Sequence, residues 1–210
     1  MGYALWLVPL HDDVREALAQ TIEELAERTS GPRFRPHVTL LSGIPSSTPV
    51  ELVRSRSSAA VKTWSQAQVL GRAPLELTME DVDTRSPRYF QFVFAHIRPT
   101  ADLLSLRQAC RSVFFSQDAT STPADDYMPH LSLAYGGKGA EAILSDLRSA
   151  ASGGGSTAPT DGGRWAMDGC SFEVGAVELW SCEGPPAEWA CLDSIPLSTA
   201  SDETGRHEAP

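Results

Sequence analysis

Apolar side chains along this chain alternate between two spacings. Tyr3-Ala4-Leu5-Trp6-Leu7-Val8-Pro9 is a short aromatic and aliphatic run that stops at a proline, the pattern of a buried strand. Behind it, Val14, Leu18, Ile22 and Leu25 recur at helical offsets, which predicts a helix that Asp12 or Asp13 caps and that ends before Gly31-Pro32. Val50 to Gln68 has moderate helical spacing, with Trp64 closing its core face. Pro74 to Val82 alternates apolar and polar residues as a half-buried strand does, and Tyr89-Phe90-Gln91-Phe92-Val93-Phe94 reads as its hairpin partner across Arg85-Ser86-Pro87-Arg88. Leu103, Leu104, Arg107 and Val113 suggest a helix from Thr100 to near Phe115, followed by a polar loop from Ser116 to Asp126. A further helix spans about Ala140 to Ala151. Two last strands, Cys170 to Ser181 and Glu188 to Leu197, are joined at Gly184-Pro185-Pro186.

Two more strands repeat each other. Pro36-His37-Val38-Thr39-Leu40-Leu41-Ser42-Gly43 and Pro129-His130-Leu131-Ser132-Leu133-Ala134-Tyr135-Gly136 both read Pro-His-apolar-hydroxyl-Leu-apolar-x-Gly. For a given histidine, ordinary usage makes the recurrence of Pro, Leu and Gly at matched offsets an event of roughly one in a few thousand. Side chains two apart on a strand share a face, so His37 lies beside Thr39 and His130 beside Ser132. Val38, Leu40, Leu131 and Leu133 then turn to a core. Each motif strand follows a helix and precedes another helix and a strand pair. The element order is α+β and suggests a duplicated unit whose approximate two-fold brings the motifs together.

With these motifs the chain resembles the 2H phosphoesterases, and PHVTLLSG and YMPHLSLAYG look most like the cyclic phosphodiesterase branch of fungi and plants. The resemblance runs from about residue 2 to Ile195-Pro196-Leu197. It implies a bilobal α+β fold of duplicated strand-helix units, with antiparallel sheets lining a central groove, as one domain over residues 1–197. It also implies a substrate: a nucleoside 2′,3′-cyclic phosphate opened to the 2′-phosphate, or ADP-ribose 1″,2″-cyclic phosphate opened to the 1″-phosphate, in RNA metabolism such as tRNA splicing. His37, Thr39, His130 and Ser132 stand at the family's catalytic positions. Tyr135, five positions after the second histidine, stands where this branch has an aromatic residue lining the substrate pocket. Strand alternation places Tyr135 opposite to His130 unless the strand ends or bends before Gly136.

The chemistry these residues can perform is simple. If two imidazoles flank one phosphorus atom, the neutral one takes a proton from water while the protonated one gives a proton to the departing oxygen, assistance worth roughly 10²–10⁴-fold. Thr39 and Ser132 can donate to the non-bridging oxygens, where charge builds. The reaction requires neither metal nor cofactor, and the sequence offers no obvious metal-ligand cluster. Two rivals stand beside it: a 2H enzyme acting on RNA ends or 2′,5′-linked oligonucleotides, and a non-catalytic nucleotide-binding module.

Charge narrows the partners. With 17 Lys and Arg against 27 Asp and Glu, the net charge of −10 argues against a sequence-independent grip on long nucleic acid. A small phosphorylated ligand needs only a local donor cluster, for which Arg33, Arg35 and Lys138 are candidates. No apolar run approaches a bilayer span and no basic leader precedes Gly2, so a soluble monomer of the cytosol or nucleus is expected. The four cysteines lack paired C-x-x-C spacing and are expected as free thiols, with Cys182 and Cys191 able to meet if the last two strands pair. The remaining histidines, His11, His96 and His207, lack the motif and read as structural or solvated. Asp125, Asp126 and Tyr127 stand where they can orient an imidazole. Residues 152–163 read as a flexible insertion and 198–210 as a disordered tail.

Overall fold

The computed structural model describes residues 2–68, 74–115, 127–151 and 169–197. The predicted polar loop over 116–126, the glycine-rich insertion and the tail lie outside the described residues. Strand β1, Tyr3–Pro9, buries Leu5 and Leu7 completely. Helix α1, Asp12–Thr29, buries Ala17, Leu18, Ile22, Leu25 and Ala26 along one stripe. Its N-cap is His11 rather than Asp12 or Asp13, which fall inside the first turn, where negative charge meets the positive end of the helix.

The remaining elements are strand β2 (Val38–Ile44), helix α2 (Val50–Ala67), strands β3 (Glu76–Asp83) and β4 (Val93–Ile97), helix α3 (Ala101–Phe114), strand β5 (His130–Ala134), helix α4 (Ala140–Ala151) and strands β6 (Ser171–Ser181) and β7 (Ala190–Pro196). Trp64 of α2 packs partly buried on the core and its indole N–H donates to Ser105 of α3 at 2.8 Å. The Thr100 hydroxyl caps α3 by accepting from the Leu103 amide.

Two strands begin later than their residue types suggest. Tyr89–Gln91 makes a single 3-10 turn, so β4 starts at Val93. The Tyr89, Phe90 and Gln91 carbonyls are taken by Gly136, Ser132 and Arg85, which holds this segment out of the ladder and leaves its aromatic rings facing outward. Pro186–Glu188 makes a second such turn, and proline there has no N–H to give a ladder, so β7 starts at Ala190.

The strand pairings obey the duplication. β1 pairs β2 and β6, β4 pairs β5 and β3, the motif strands β2 and β5 pair each other, and β3 pairs β6, all antiparallel. Exchanging β1 with β4, β2 with β5 and β3 with β6 leaves this scheme unchanged. The six strands thus close on themselves, with β7 added outside β6. Helix α1, which connects β1 to β2, packs on β5, while α3, which connects β4 to β5, packs on β2. Each half therefore covers the motif strand of the other.

One face of the strands carries the main core with the four helices: Val38, Leu40, Leu131, Leu133, Val93 and Ala95 meet Leu18, Leu25, Val53, Leu103, Leu106, Ile143 and Leu144. Trp6 is buried outside that cluster, against Ala4, Trp180 and Cys182 on the opposite, inner face. All four cysteines are free. The last two strands do pair, but the register sets Cys191 opposite Trp180 rather than Cys182, so those thiols do not meet. No described helix is long and apolar enough to cross a membrane.

Two expected outcomes follow from this packing. Replacing the fully buried Leu131 by Ala leaves a cavity beneath the second motif and lowers unfolding free energy by roughly 2–5 kcal/mol, read by urea denaturation. In native protein a thiol reagent modifies exposed Cys191 first, at a rate held down because burial raises its thiol pKa too. Buried Cys110, whose thiol pKa burial pushes up to about 12, reacts only after denaturation.

Candidate active site

The decisive contact is the one between the motif strands. Val38 of β2 stands opposite Leu131 of β5 in an antiparallel pair. Continued by one residue each way, that register puts His37 beside Ser132 and Thr39 beside His130, so the histidines lie on a diagonal. Diagonal neighbours are roughly 7–8 Å apart along the backbone, within mutual reach of ring side chains. All four face away from the helices, because Val38 and Leu131 between them are fully buried in the main core.

The imidazoles are held in the same way. His37 Nδ1 lies 2.7 Å from the Arg35 carbonyl and His130 Nδ1 lies 2.9 Å from the Met128 carbonyl, in each case two residues back along the chain. A carbonyl only accepts, so both Nδ1 atoms carry hydrogen and both Nε2 atoms are left for chemistry. The proline between anchor and histidine, Pro36 or Pro129, restricts the backbone that presents this carbonyl.

Their surroundings differ. His37 is only 4% exposed and stacks flat on Trp6, with ring centroids 3.6 Å apart. Burial, the largest influence, drives its pKa down to about 4; the bond to Arg35 works upward and the charge of His130 downward again. His130 is half-buried, with Phe94 edge-on at 5.3 Å. Its pKa is also lowered, by burial first, with His96 and Arg85 contributing positive charge nearby.

Tyr135 falls just beyond the end of β5, where the chain turns through Gly136 at φ 57°. The bend swings the phenol to the side of the histidines: its hydroxyl is 3.5 Å from His37 Nε2 and also interacts with Ser132. Burial pushes the phenol pKa up, so the group stays protonated. The Ser132 hydroxyl donates to the Phe90 carbonyl at 3.1 Å. Giving that proton to a phosphate oxygen requires rotation about one bond.

The residue three before each histidine braces the opposite motif. Phe34 stacks on Tyr135, with centroids 3.8 Å apart, and the Tyr127 hydroxyl donates to the Thr39 carbonyl at 3.0 Å. Tyr127 thus orients the backbone of the first motif rather than an imidazole. Asp125 and Asp126 lie outside the described residues.

Arg33, Arg35 and Lys138 do not gather into a donor cluster. Arg33 turns to Glu23 and Glu27 on α1, and the Arg35 guanidinium lies over the Trp180 ring. Lys138 is exposed. His96 stands opposite His130 across β4 and β5, with its Nε2 3.4 Å from Asp83. Nothing in its own neighbourhood of sequence signals this position; only the strand register creates it. Tyr89 and Phe90, 44% and 37% exposed, join Trp189 to form an aromatic rim around Tyr135. Periodicity assigned Tyr89 and Phe90 to a strand and missed this role. Among the described residues no cluster of three or more His, Cys, Asp or Glu could hold a metal ion.

Comparison with known proteins identifies the family and the fold. The sequence model of the family described as cyclic phosphodiesterase-like protein matches residues 1–197. The chain belongs to this family. A protein of Yarrowia lipolytica named 2′,3′-cyclic-nucleotide 3′-phosphodiesterase is 28% identical over 91% of this chain and 98% of its own length. The cyclic phosphodiesterase of Arabidopsis thaliana is 28% identical over 63% of this chain and 64% of its own. In fold, the chain matches a phosphoesterase crystal structure with a TM-score of 0.56 and E. coli LigT complexed with 3′-AMP with 0.54. Each match covers 94% of this chain and 98% of that one at 14% identity. The α+β fold with antiparallel strands is therefore that of the 2H phosphoesterases, a family of hydrolases.

Tyr127→Phe tests the brace between the halves. Loss of its hydrogen bond to Thr39 lowers stability by about 0.5–1.5 kcal/mol in denaturant titration, with the aromatic packing kept.

Proposed function

We propose that this protein hydrolyses ribose cyclic phosphates by two-histidine general acid and base catalysis. Its substrates are nucleoside 2′,3′-cyclic phosphates, opened to the 2′-phosphate, ADP-ribose 1″,2″-cyclic phosphate, opened to the 1″-phosphate, or both. The observation that carries the reading is the pairing of Val38 with Leu131, which sets two imidazoles and two hydroxyls on one face in crossed order.

In this mechanism His37 is the base and His130 the acid. The more deeply buried imidazole is the harder to charge, so His37 Nε2 keeps its lone pair. Water approaches phosphorus from that side and its proton passes to His37 Nε2 as the new P–O bond forms. The P–O bond to the opposite ribose oxygen breaks, and that oxygen receives the Nε2 proton of His130. Thr39 and Ser132 donate to the non-bridging oxygens as negative charge accumulates there. Tyr135 lines the pocket beside His37, and the rim of Tyr89, Phe90 and Trp189 offers aromatic faces to a base.

The roles set the pH dependence. Below about 4 His37 is protonated and cannot take the proton, which gives the acid limb. Above the lowered pKa of His130 the acid is lost, which gives the alkaline limb below the ordinary value of about 6.5. The kcat/KM profile for 2′,3′-cyclic AMP is therefore a bell on the acid side of neutrality, with limbs that belong to the coupled pair. An anionic substrate favours both imidazolium forms, so the limbs of kcat lie at higher pH. An alkaline kcat/KM optimum contradicts these assignments.

Substitution separates the roles. Thr39→Ala and Ser132→Ala each lower kcat by up to about 10²–10³-fold, and His37→Gln or His130→Gln costs more, while product still binds. A chelator leaves the rate unchanged. A panel of cyclic mononucleotides, ADP-ribose cyclic phosphate and 2′,5′-linked oligonucleotides decides the substrate; turnover confined to the oligonucleotides, or binding with no turnover, replaces the reading by one of its rivals.

A further inference from the structure

His37 stands at one end of a stacked column. Its ring lies on Trp6 at 3.6 Å and 8°, Trp6 lies on Trp180 at 4.3 Å and 20°, and the Arg35 guanidinium lies over the Trp180 ring at 5.4 Å. The register of β1 on β6 creates the middle contact: Ala4 is opposite Trp180 and Trp6 opposite Glu178, so the two indoles are diagonal neighbours, a separation that aromatic side chains bridge. The Trp180 indole N–H donates to Glu178 at 2.8 Å, which fixes the plane of that ring. Arg35 takes part twice. Its carbonyl holds His37 Nδ1 and its side chain lies over Trp180, with Pro36 limiting the backbone freedom between the two anchors.

We propose that Trp180 and Arg35 are positioning residues for the general base. The column and the carbonyl act on different motions of the same imidazole: stacking prevents tilting out of plane, and the Nδ1 hydrogen bond prevents rotation within it. Nε2 is thereby held toward the attacking water without either Trp180 or Arg35 touching substrate. Trp6 stacks on both His37 and Trp180 and so transmits the orientation of Trp180 to His37. The internal duplication shows that this is an addition. On the other half, the position equivalent to Trp6 is Phe94, which meets His130 edge-on at 5.3 Å, and the carbonyl anchor stands without a flat stack. The base must keep one line of attack on phosphorus, which the added stack on His37 serves. Small misplacements of a reacting group cost up to roughly 100-fold in rate, the scale on which a positioning residue acts.

The inference rests on the role proposed for His37, and its test separates the two. In proton NMR the wild-type His37 ring resonances are shifted upfield by the indole beneath. In Trp180→Leu that shift shrinks, kcat for 2′,3′-cyclic AMP falls about tenfold or more, KM stays within about twofold, and Trp180→Phe restores most of both. Arg35→Met keeps the carbonyl and the aliphatic stem, so it loses only about two- to threefold in kcat, with a smaller change in the His37 resonances. The inference is overturned if Trp180→Leu, shown folded by its circular dichroism, keeps wild-type kcat, or if its kcat falls while the His37 shift is unaltered. Should Trp180→Leu fail to fold, Arg35→Met carries the same test: wild-type kcat together with unaltered His37 shifts overturns it. An upfield shift that depends on Trp180 in a protein that turns over no cyclic phosphate leaves the column standing as a clamp and removes the proposed function instead.

Discussion

The antiparallel contact between β2 and β5 is the constraint on which the other features depend. It is short, a single opposed pair of Val38 and Leu131, yet it places both histidines and both hydroxyls. A slip of one residue would turn every one of these side chains to the helix-covered face. Core packing prevents the slip: Val38, Leu40, Leu131 and Leu133 are fully buried, and each such side chain contributes roughly 1.5–3 kcal/mol by leaving water. Site geometry and hydrophobic stability are thus two readings of one register. The crossed helices strengthen it, since α1 packs on β5 and α3 on β2, so neither half closes its core without the other.

A perfectly symmetric pair of imidazoles would have no reason to divide into the base and acid proposed for them. Here the duplication holds in the pairing of the first six strands and in the carbonyl anchors, and it breaks in what packs against each imidazole. Trp6 lies flat against His37, where Phe94 meets His130 by its edge. His96, with Asp83 beside it, stands opposite His130. Stacking and deep burial keep one imidazole neutral. Partial exposure leaves the other within reach of protons from water.

The acidic composition and the proposed anionic ligand are compatible because the site does not rely on long-range attraction. Arg33 is spent on Glu23 and Glu27, and Arg35 on Trp180. What the motif face offers to the proposed phosphate is a set of neutral or weakly basic groups: two imidazoles, two hydroxyls and a phenol. Short-range hydrogen bonds in a partly dry site are strong enough for a small ligand and too few for a long polyanion. The aromatic rim at Tyr89 and Phe90 adds the apolar area that a base would cover.

The sequence alone determined the strands and helices with strong periodicity, the duplication, and the four residues of the repeated motif, because these are local patterns: alternation, helical offsets, and a matched run of eight residues. It also placed Val38, Leu40, Leu131 and Leu133 on the core face, which follows from strand parity. Only the tertiary structure decided what faces the motifs. The 3-10 turn at Tyr89–Gln91 was hidden because its aromatic residues suit a strand, and the carbonyl bonds that pull it out of the ladder come from Ser132 and Gly136, far along the chain. Trp6 had the composition of a core residue, and its contact with His37 depends on the register of β1 on β2. Trp180 and Arg35 meet because β6 pairs with β1, and His96 stands by His130 because β4 pairs with β5. Tyr135 was a matter of parity until the bend at Gly136 turned its hydroxyl to His37. A strand's own residues reveal which face each side chain takes; which strand lies alongside, and in what register, is set by how the whole core packs.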